Sequence, residues 1–297
     1  MGAEGSTLAR RALGRKLQMM RERAKIKQAG AARIIGVSPQ GIGRLEEGQS
    51  TRLANDLFMN ALCDAYGATQ EERRVILALA QEVRDAAKKG GGWWRAYADQ
   101  ITGGFDHFLA LEEAAIKLTA WKVMVIPGLL QTPDYRRAIA WTESPNLPTE
   151  QIEKRIEWST RRQKRLEDPS FTANILLSEA ALREEVGGPG VMKGQLGFLA
   201  DVGTLPNVSV RVVPFKARSH LGALVGSFFL MEFPLLQQTK LVQPPIVYVE
   251  EYAGDLYLER EEEVQRYQDA LRELGRVALG ESDSRRMILA LAKEYGE

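Results

Sequence analysis

At 297 residues, with 44% hydrophobic and 27% charged residues, the chain has the composition of a folded globular protein long enough for two domains, which excludes disorder throughout. No run approaches the ~20 apolar residues that span a bilayer, and the N-terminus lacks the apolar core of a signal peptide. One cysteine, Cys63, and two histidines, His107 and His220, are too few for an internal disulfide or a zinc site, so a cytoplasmic protein without membrane segment, metal or cofactor is expected. The net charge of +1 conceals an asymmetry: residues 1–67 hold eleven Lys and Arg against six Asp and Glu, a surplus of five, and the rest of the chain carries −4. A basic lobe joined to an acidic one suits a polyanion reader attached to a domain that does not touch the polyanion.

The pattern predicts a first helix over residues 7–24, with Leu13, Leu17, Met20 and Ala24 inward and Arg11, Arg15 and Arg23 on the opposite face. Gln28 opens a second helix whose inward positions are Ala31, Ala32 and Ile35. Gly36 stands where a left-handed residue ends that helix, and Val37 fills the corner. Ser38 as N-cap and Pro39 at the first helical position start a third helix, with Ile42 and Leu45 inward and Gln40, Gly41, Gly43 and Arg44 outward. Helix, tight turn and second helix over Ile26–Gln49 is the order of a helix-turn-helix that lays its second helix in a major groove.

On that reading Gln40 and Arg44 face base edges. Gln pairs with adenine and Arg with guanine, each good pair being worth roughly 1 to 3 kcal/mol of discrimination. Gln28 braces against a phosphate at the start of its helix. Lys27, Ser38, Pro39 and Arg52 complete the candidate DNA-binding set. Gly41 and Gly43 each cost a helix about 0.5 to 1 kcal/mol relative to Ala, so they either admit close approach of backbone to DNA or are simply tolerated.

Two more helices close the domain. Asn55–Tyr66 carries Leu57, Phe58, Ala61, Leu62 and Ala65 on one face, with Cys63 a packing thiol. Gln70–Lys88 follows a capping signal at Thr69 and has Val75, Ile76, Leu79, Ala80 and Val83 as its stripe. Lys88, Lys89 and Gly90–Gly92 read as a flexible break, which divides the chain into 1–88 and 89–297.

Beyond the break, Phe105–Val123 reads as one helix lined by Phe108, Leu111, Ala115 and Leu118. Its neighbours Glu112 and Glu113 point about 100° apart and cannot converge on one atom. After a turn at Pro127–Gly128, Gln151–Glu167 is a charged helix. Its Arg161, Arg162, Lys164 and Arg165 read as a solvated face, with contact to DNA or an acidic partner the alternative. The period then changes toward strands at residues 171–178, 208–215, 227–233 and 246–252, with a further one at 256–259 and helices at 179–186 and 191–202 between the first two. Helices at 261–278 and 284–295 end the chain. No phosphate loop, nucleophile elbow or HExxH is present, and His220 reads as a surface residue, so an enzyme is not expected. The apolar, aromatic-rich sheet suits either a small-molecule ligand or a partner protein.

The stretch QAGAARIIGVSPQGIGRLEEG resembles the Xre and lambdoid-repressor class of helix-turn-helix domains, whose pattern is QxxxAxxxGVSxxxIxxxExG; it departs where Ala31 stands for a larger apolar residue. A second resemblance lies in the ordered motifs Trp93–Trp94, VIPGLLQTPDY, RQKRL, EAALR, QLGFL, VVPF, GSFFLMEF and VYVEEY. These are similar to the C-terminal domain of the WhiJ-like regulators of actinomycetes, a domain of unknown function. That resemblance implies transcriptional control in concert with a small BldB-like partner protein encoded by a neighbouring gene. The expected fold is multidomain: an all-α, five-helix, lambda-repressor-like domain followed by an α+β domain with a small mixed sheet. The expected function is a sequence-specific regulator, a homodimer on a double-stranded operator. The alternative is a ligand-sensing repressor or an antitoxin-like protein whose reader serves autoregulation.

Overall fold

A computed structural model describes residues 8–49, 52–88, 105–217, 220–236, 238–251 and 254–296. The expected flexible break at 89–92 and the Trp93–Trp94 motif lie outside them. The described residues form two compact units. One takes in those of Met1–Ala98, Thr102–Ala114 and Pro234–Gln243, the other those of Ala115–Phe233 and Pro244–Glu297. This division differs from the expected split at 88/89, because Leu236 and Leu241 pack into the core of the N-terminal unit.

The N-terminal unit contains the five expected helices, α1 (Leu8–Arg23), α2 (Gln28–Ile35), α3 (Pro39–Glu46), α4 (Asp56–Ala65) and α5 (Gln70–Lys88), and a sixth, α6 (Phe105–Ala114). Leu13, Leu17 and Met20 of α1 meet Ala31, Ala32 and Ile35 of α2, Ile42 and Leu45 of α3, and Ile76, Leu79 and Val83 of α5 in one core. In α4 the inward line runs through Met59, Leu62 and Cys63, whereas Leu57, expected inward, is 76% exposed. Asn55 is the N-cap, its side chain accepting from the Phe58 N–H, and this sets Leu57 on the outer side of the first turn.

Local chemistry fixes the corners. α1 ends in a double carbonyl closure, with the Lys25 N–H on the Glu22 carbonyl and the Ile26 N–H on that of Arg21. Lys25 takes the left-handed conformation there, φ 56°. Thr69 and Glu72 form a reciprocal capping box at the start of α5, with N–H to side-chain distances of 2.8 and 3.1 Å.

Two glycines let α1 lie against α3. A Cβ on Gly14 would stand 2.1 Å from the Glu46 carbonyl oxygen, and one on Gly48 3.0 Å from the Arg11 backbone. Nearby, Arg11 Nη1 donates to His107 Nε2 at 2.9 Å. A guanidinium only donates, so this ring nitrogen accepts and the neutral ring carries its proton on Nδ1. Burial, and then the charges of Arg11 and Arg10, lower the His107 pKa to about 4.

The C-terminal unit is built on a six-stranded mixed sheet: β1 (Lys117–Lys122), β2 (Thr172–Ser178), β3 (Val208–Val213), β4 (Phe228–Glu232), β5 (Ile246–Glu251) and β6 (Gly254–Leu258) in spatial order β3-β2-β1-β4-β5-β6. β1, β2 and β3 run parallel, and β4, β5 and β6 are antiparallel. β1 corrects the expected helix over Phe105–Val123, which stops at Ala114. Residues 118–122 are buried on both faces of a central strand, so the alternation that marks a half-buried strand is absent.

The parallel strands are connected through α7 (Pro133–Glu143) and α8 (Thr149–Gln163), then α9 (Glu179–Arg183) and α10 (Pro189–Val202). α11 (Glu261–Val277) and α12 (Glu281–Glu294) follow the sheet. Trp121, Leu176, Phe228, Leu230 and Val247 on one sheet face pack with Val264 and Leu274 of α11. Arg211 of β3 donates to the carbonyls of Gly275, Ala278 and Leu279 at 2.8–3.0 Å, satisfying the end of α11.

The turn at Pro127–Gly128 is held by glutamines: Gln195 bridges the Leu130 carbonyl and the Thr132 N–H, both at 2.7 Å, and Gln131 donates to the Ile126 carbonyl. No helix of the described residues is long and apolar enough to cross a membrane.

Gly14→Ala is expected to lower stability by about 3 kcal/mol, the upper end of overpacking costs, because the opposing atoms are backbone and cannot step aside. Gly36→Ala, left-handed at φ 69° but with open space around its Cβ, loses only about 1 kcal/mol. Urea denaturation of the two variants measures the difference. For His107 the folded pKa lies below the unfolded ~6.5, so stability is complete above pH 6.5 and declines as pH falls toward 4, by up to about 1.4 kcal/mol per unit. His107→Asn is expected to flatten that part of the Tm–pH curve relative to the parent protein.

Candidate nucleic-acid interface

α2 and α3 meet at the sharp corner Gly36–Val37–Ser38. Gly36 is left-handed and the Val37 N–H bonds the Ala32 carbonyl at 2.9 Å. Ser38 Oγ accepts from the Gly41 N–H at 3.1 Å and Pro39 occupies the first helical position, so α3 starts abruptly and at a fixed angle. Ser38, Pro39 and Gln40 are exposed, and so is Arg44 one turn beyond Gln40. Gly41 was expected outward and is instead buried, because its α-carbon faces the Val37 and Ser38 side chains inside the turn.

Gly43 is half-buried for a different reason. A Cβ there would stand 3.8 and 3.9 Å from the Gln28 amide, so Gln28 lies alongside α3 at this point. Its Nε2 donates to Glu46 Oε2 at 3.0 Å. Glu46 in turn holds Arg21 of α1 through two bonds of 2.5 and 2.9 Å, both within the protein, and Arg21 also donates to the Ile26 carbonyl at 2.9 Å. One buried carboxylate therefore fixes the end of α1, the start of α2 and the end of α3. The Gln28 amide, expected only as a phosphate brace, is anchored at one end by this group. Lys27 holds the N-cap position of α2 and offers no side-chain acceptor, which leaves the first amides of that helix to solvent or to an anion.

The cations of the basic lobe divide into two sets. Those of α1 are mostly committed to neighbours: Arg10, Arg11 and Arg21 are buried, Lys16 and Arg15 are half-buried with Arg15 donating to Gln243 at 2.7 Å, and the exposed Arg23 is paired with Glu72 at 2.5 and 2.9 Å. The face expected to carry exposed Arg11, Arg15 and Arg23 is thus largely consumed by packing. Lys25, Lys27, Arg33, Arg44 and Arg52 are exposed, and among the described residues none of them makes an ion pair. The exposed positive charge accordingly gathers on the turns and helices around α3. Sequence reasoning did not find Arg21 and Glu46 as a pair; a separation of 25 residues leaves no local signal.

The second set of candidate cations lies in the C-terminal unit. Arg162 is buried with its guanidinium 5.6 Å from the centre of the Trp158 ring, and Arg165 stacks 4.8 Å from Phe171 and donates to the Ala115 carbonyl. These two are packing residues and not the solvated face expected of them. Glu112 is buried in α6, and His220 stands edge-on to Trp121 with ring centres 6.4 Å apart.

Residues 12–76 match the family model described as Helix-turn-helix domain, which covers α1 to α4 and the beginning of α5. Residues 105–290 match the model described as Domain of unknown function (DUF5753), well over half of the chain. The protein belongs to the DUF5753 family. No curated protein and no solved structure gives a match. In this DUF5753 protein the helix-turn-helix makes the N-terminal unit the DNA-binding part of a regulator.

Removing one partner of a buried ion pair leaves a stranded charge. Glu46→Leu is expected to cost about 3 to 5 kcal/mol, and the double variant Arg21→Met/Glu46→Leu to recover most of it. Denaturant midpoints of the two single variants and the double variant measure the coupling.

Proposed function

We propose that this protein is a sequence-specific transcription regulator of the Xre type, in which Gln40 and Arg44 of α3 read base edges in the major groove. The observation that carries the reading is the sorting of charge: α1 buries Arg10, Arg11 and Arg21 and commits Arg15 and Arg23 to neighbours, while Lys25, Lys27, Arg33 and Arg52, exposed and without ion pairs among the described residues, lie on the segments flanking two exposed hydrogen-bonding side chains spaced one turn apart, Gln40 and Arg44. Gln40 suits adenine and Arg44 guanine. Lys25, Lys27, Arg33 and Arg52, with the open amides at the start of α2, supply phosphate contacts that position α3. Gln28 joins them through its exposed amide atoms while Glu46 fixes its orientation.

The regulator acts in the cytoplasm as a homodimer on a palindromic operator, its two α3 helices roughly 34 to 36 Å apart. It represses in the manner of the WhiJ-like proteins, with the C-terminal unit receiving a signal from a small partner protein or ligand and carrying no catalytic activity. The resemblance of the ordered motifs between Val125 and Glu251 supports this part of the reading.

Sites selected in vitro from a random duplex pool supply the operator. On that site Arg44→Ala is expected to lose about 1 to 3 kcal/mol and to relax the preference at one base pair. Lys27→Ala is expected to weaken all sequences alike and to reduce the salt slope by about one. Undiminished discrimination by Arg44→Ala would remove α3 as the reader.

A further inference from the structure

The two edges of the sheet are finished differently. At β3, the Leu279 N–H bonds the Val212 carbonyl at 2.8 Å and Ser284 Oγ accepts from the Val212 N–H at 3.0 Å, so the outward groups of that residue are already taken. β6 ends the sheet on the other side, and β5 is its only strand neighbour among the described residues. Its sequence, GDLYL, contains neither proline nor lysine, the residues that commonly blunt an edge, and Leu256 is 53% exposed.

The charge beside this edge is of one sign. Residues 250–263 hold seven Asp and Glu against a single base, Arg260. Glu261–Glu263 have a local explanation, since they occupy the first turn of α11, where acids complement the helix dipole. Glu250, Glu251 and Asp255 have no such helix-end role, and Asp255 has the neutral Tyr248 hydroxyl beside it. Glu250 stands directly opposite Asp255 in the β5–β6 ladder, an arrangement of like charges that destabilises a strand pair. Lys122 approaches Glu250 at 4.0 Å, and among the described residues no ion pair reaches Glu251 or Asp255. A cation brought from outside would relieve the opposition.

We propose that the outer edge of β6 receives an extended segment of another polypeptide, carrying alternate lysine or arginine residues, which joins the sheet as a seventh strand. Main-chain bonds to β6 supply affinity, and basic side chains on the sheet face that carries Glu250 and Asp255 supply selectivity. A second copy of this chain is disfavoured as the occupant, because edge-to-edge pairing would set the same carboxylates against themselves. The substituted residues belong to the C-terminal unit and none of them is assigned to DNA, so operator binding by each variant serves as a check on folding.

The test uses the full-length protein and a fluorescein-labelled peptide alternating lysine with valine or threonine, read by anisotropy. The expected result is binding of this peptide and none of its glutamate counterpart. Glu250→Lys/Asp255→Lys is expected to weaken binding by roughly tenfold or more. N-methylation of alternate peptide amides, which leaves its charge unchanged, is expected to weaken it to a similar degree. Equal binding by the N-methylated peptide would reduce the contact to charge alone and overturn strand addition. Equal binding by the Lys variant, no binding at all, or peptide-free self-association that the Lys substitutions abolish would each overturn the assignment of a basic segment from another polypeptide.

Discussion

The buried pair of Arg21 and Glu46 is the contact on which the geometry of the DNA-binding unit depends. Its charges are no large source of stability, since the desolvation of a buried pair offsets most of its attraction. It acts by geometry. A bidentate guanidinium–carboxylate contact fixes two groups in plane, and here it ties the C-terminal end of α1 to that of α3. The remaining acceptor capacity of Glu46 goes to Gln28, so the first side chain of α2 is oriented by the same group. Gly14 and Gly48 make the arrangement possible, because any side chain at either position would force α1 away from the end of α3.

Charge follows from that packing. α1 is rich in arginine, yet its position between α3 and α5 draws Arg10, Arg11 and Arg21 inward and commits Arg15 and Arg23 to neighbours. The exposed cations without an ion pair among the described residues are Lys25 and Lys27 before α2, Arg33 on α2, Arg44 on α3 and Arg52 after it. Positive charge gathered on these segments suits the DNA-binding role of a helix-turn-helix, since exposed cations attract a polyanion.

The C-terminal unit is organised by a different constraint. A parallel half and an antiparallel half share β1, which is then buried on both faces, Thr119 and Lys122 included. Polar groups in this unit serve connections: Gln131 and Gln195 hold the turn after β1, and Arg211 closes the end of α11. β6, by contrast, combines an edge that no other strand of the described residues covers with acids that face one another.

Much of the N-terminal unit was legible in the sequence, because its helices are amphipathic and its corners use residues with local chemistry. Gly36, Ser38 with Pro39, Asn55, and Thr69 with Glu72 act on backbone within four residues of themselves, so their roles are written in the order of the chain. The inward lines of α1, α2, α3 and α5 follow from helical period alone. The second half was legible where alternation or aliphatic runs marked β2 to β5. It was misread at β1, where burial on both faces erased the period. Tertiary structure alone decided what depends on distant partners: that Arg21 meets Glu46, that Gly14 abuts a carbonyl, that Gly41 is buried and Gly43 flanks Gln28, and that Arg162 and Arg165 lie on aromatic rings. It also decided which cations of the basic lobe stay exposed, since composition counts charges and only packing orients them.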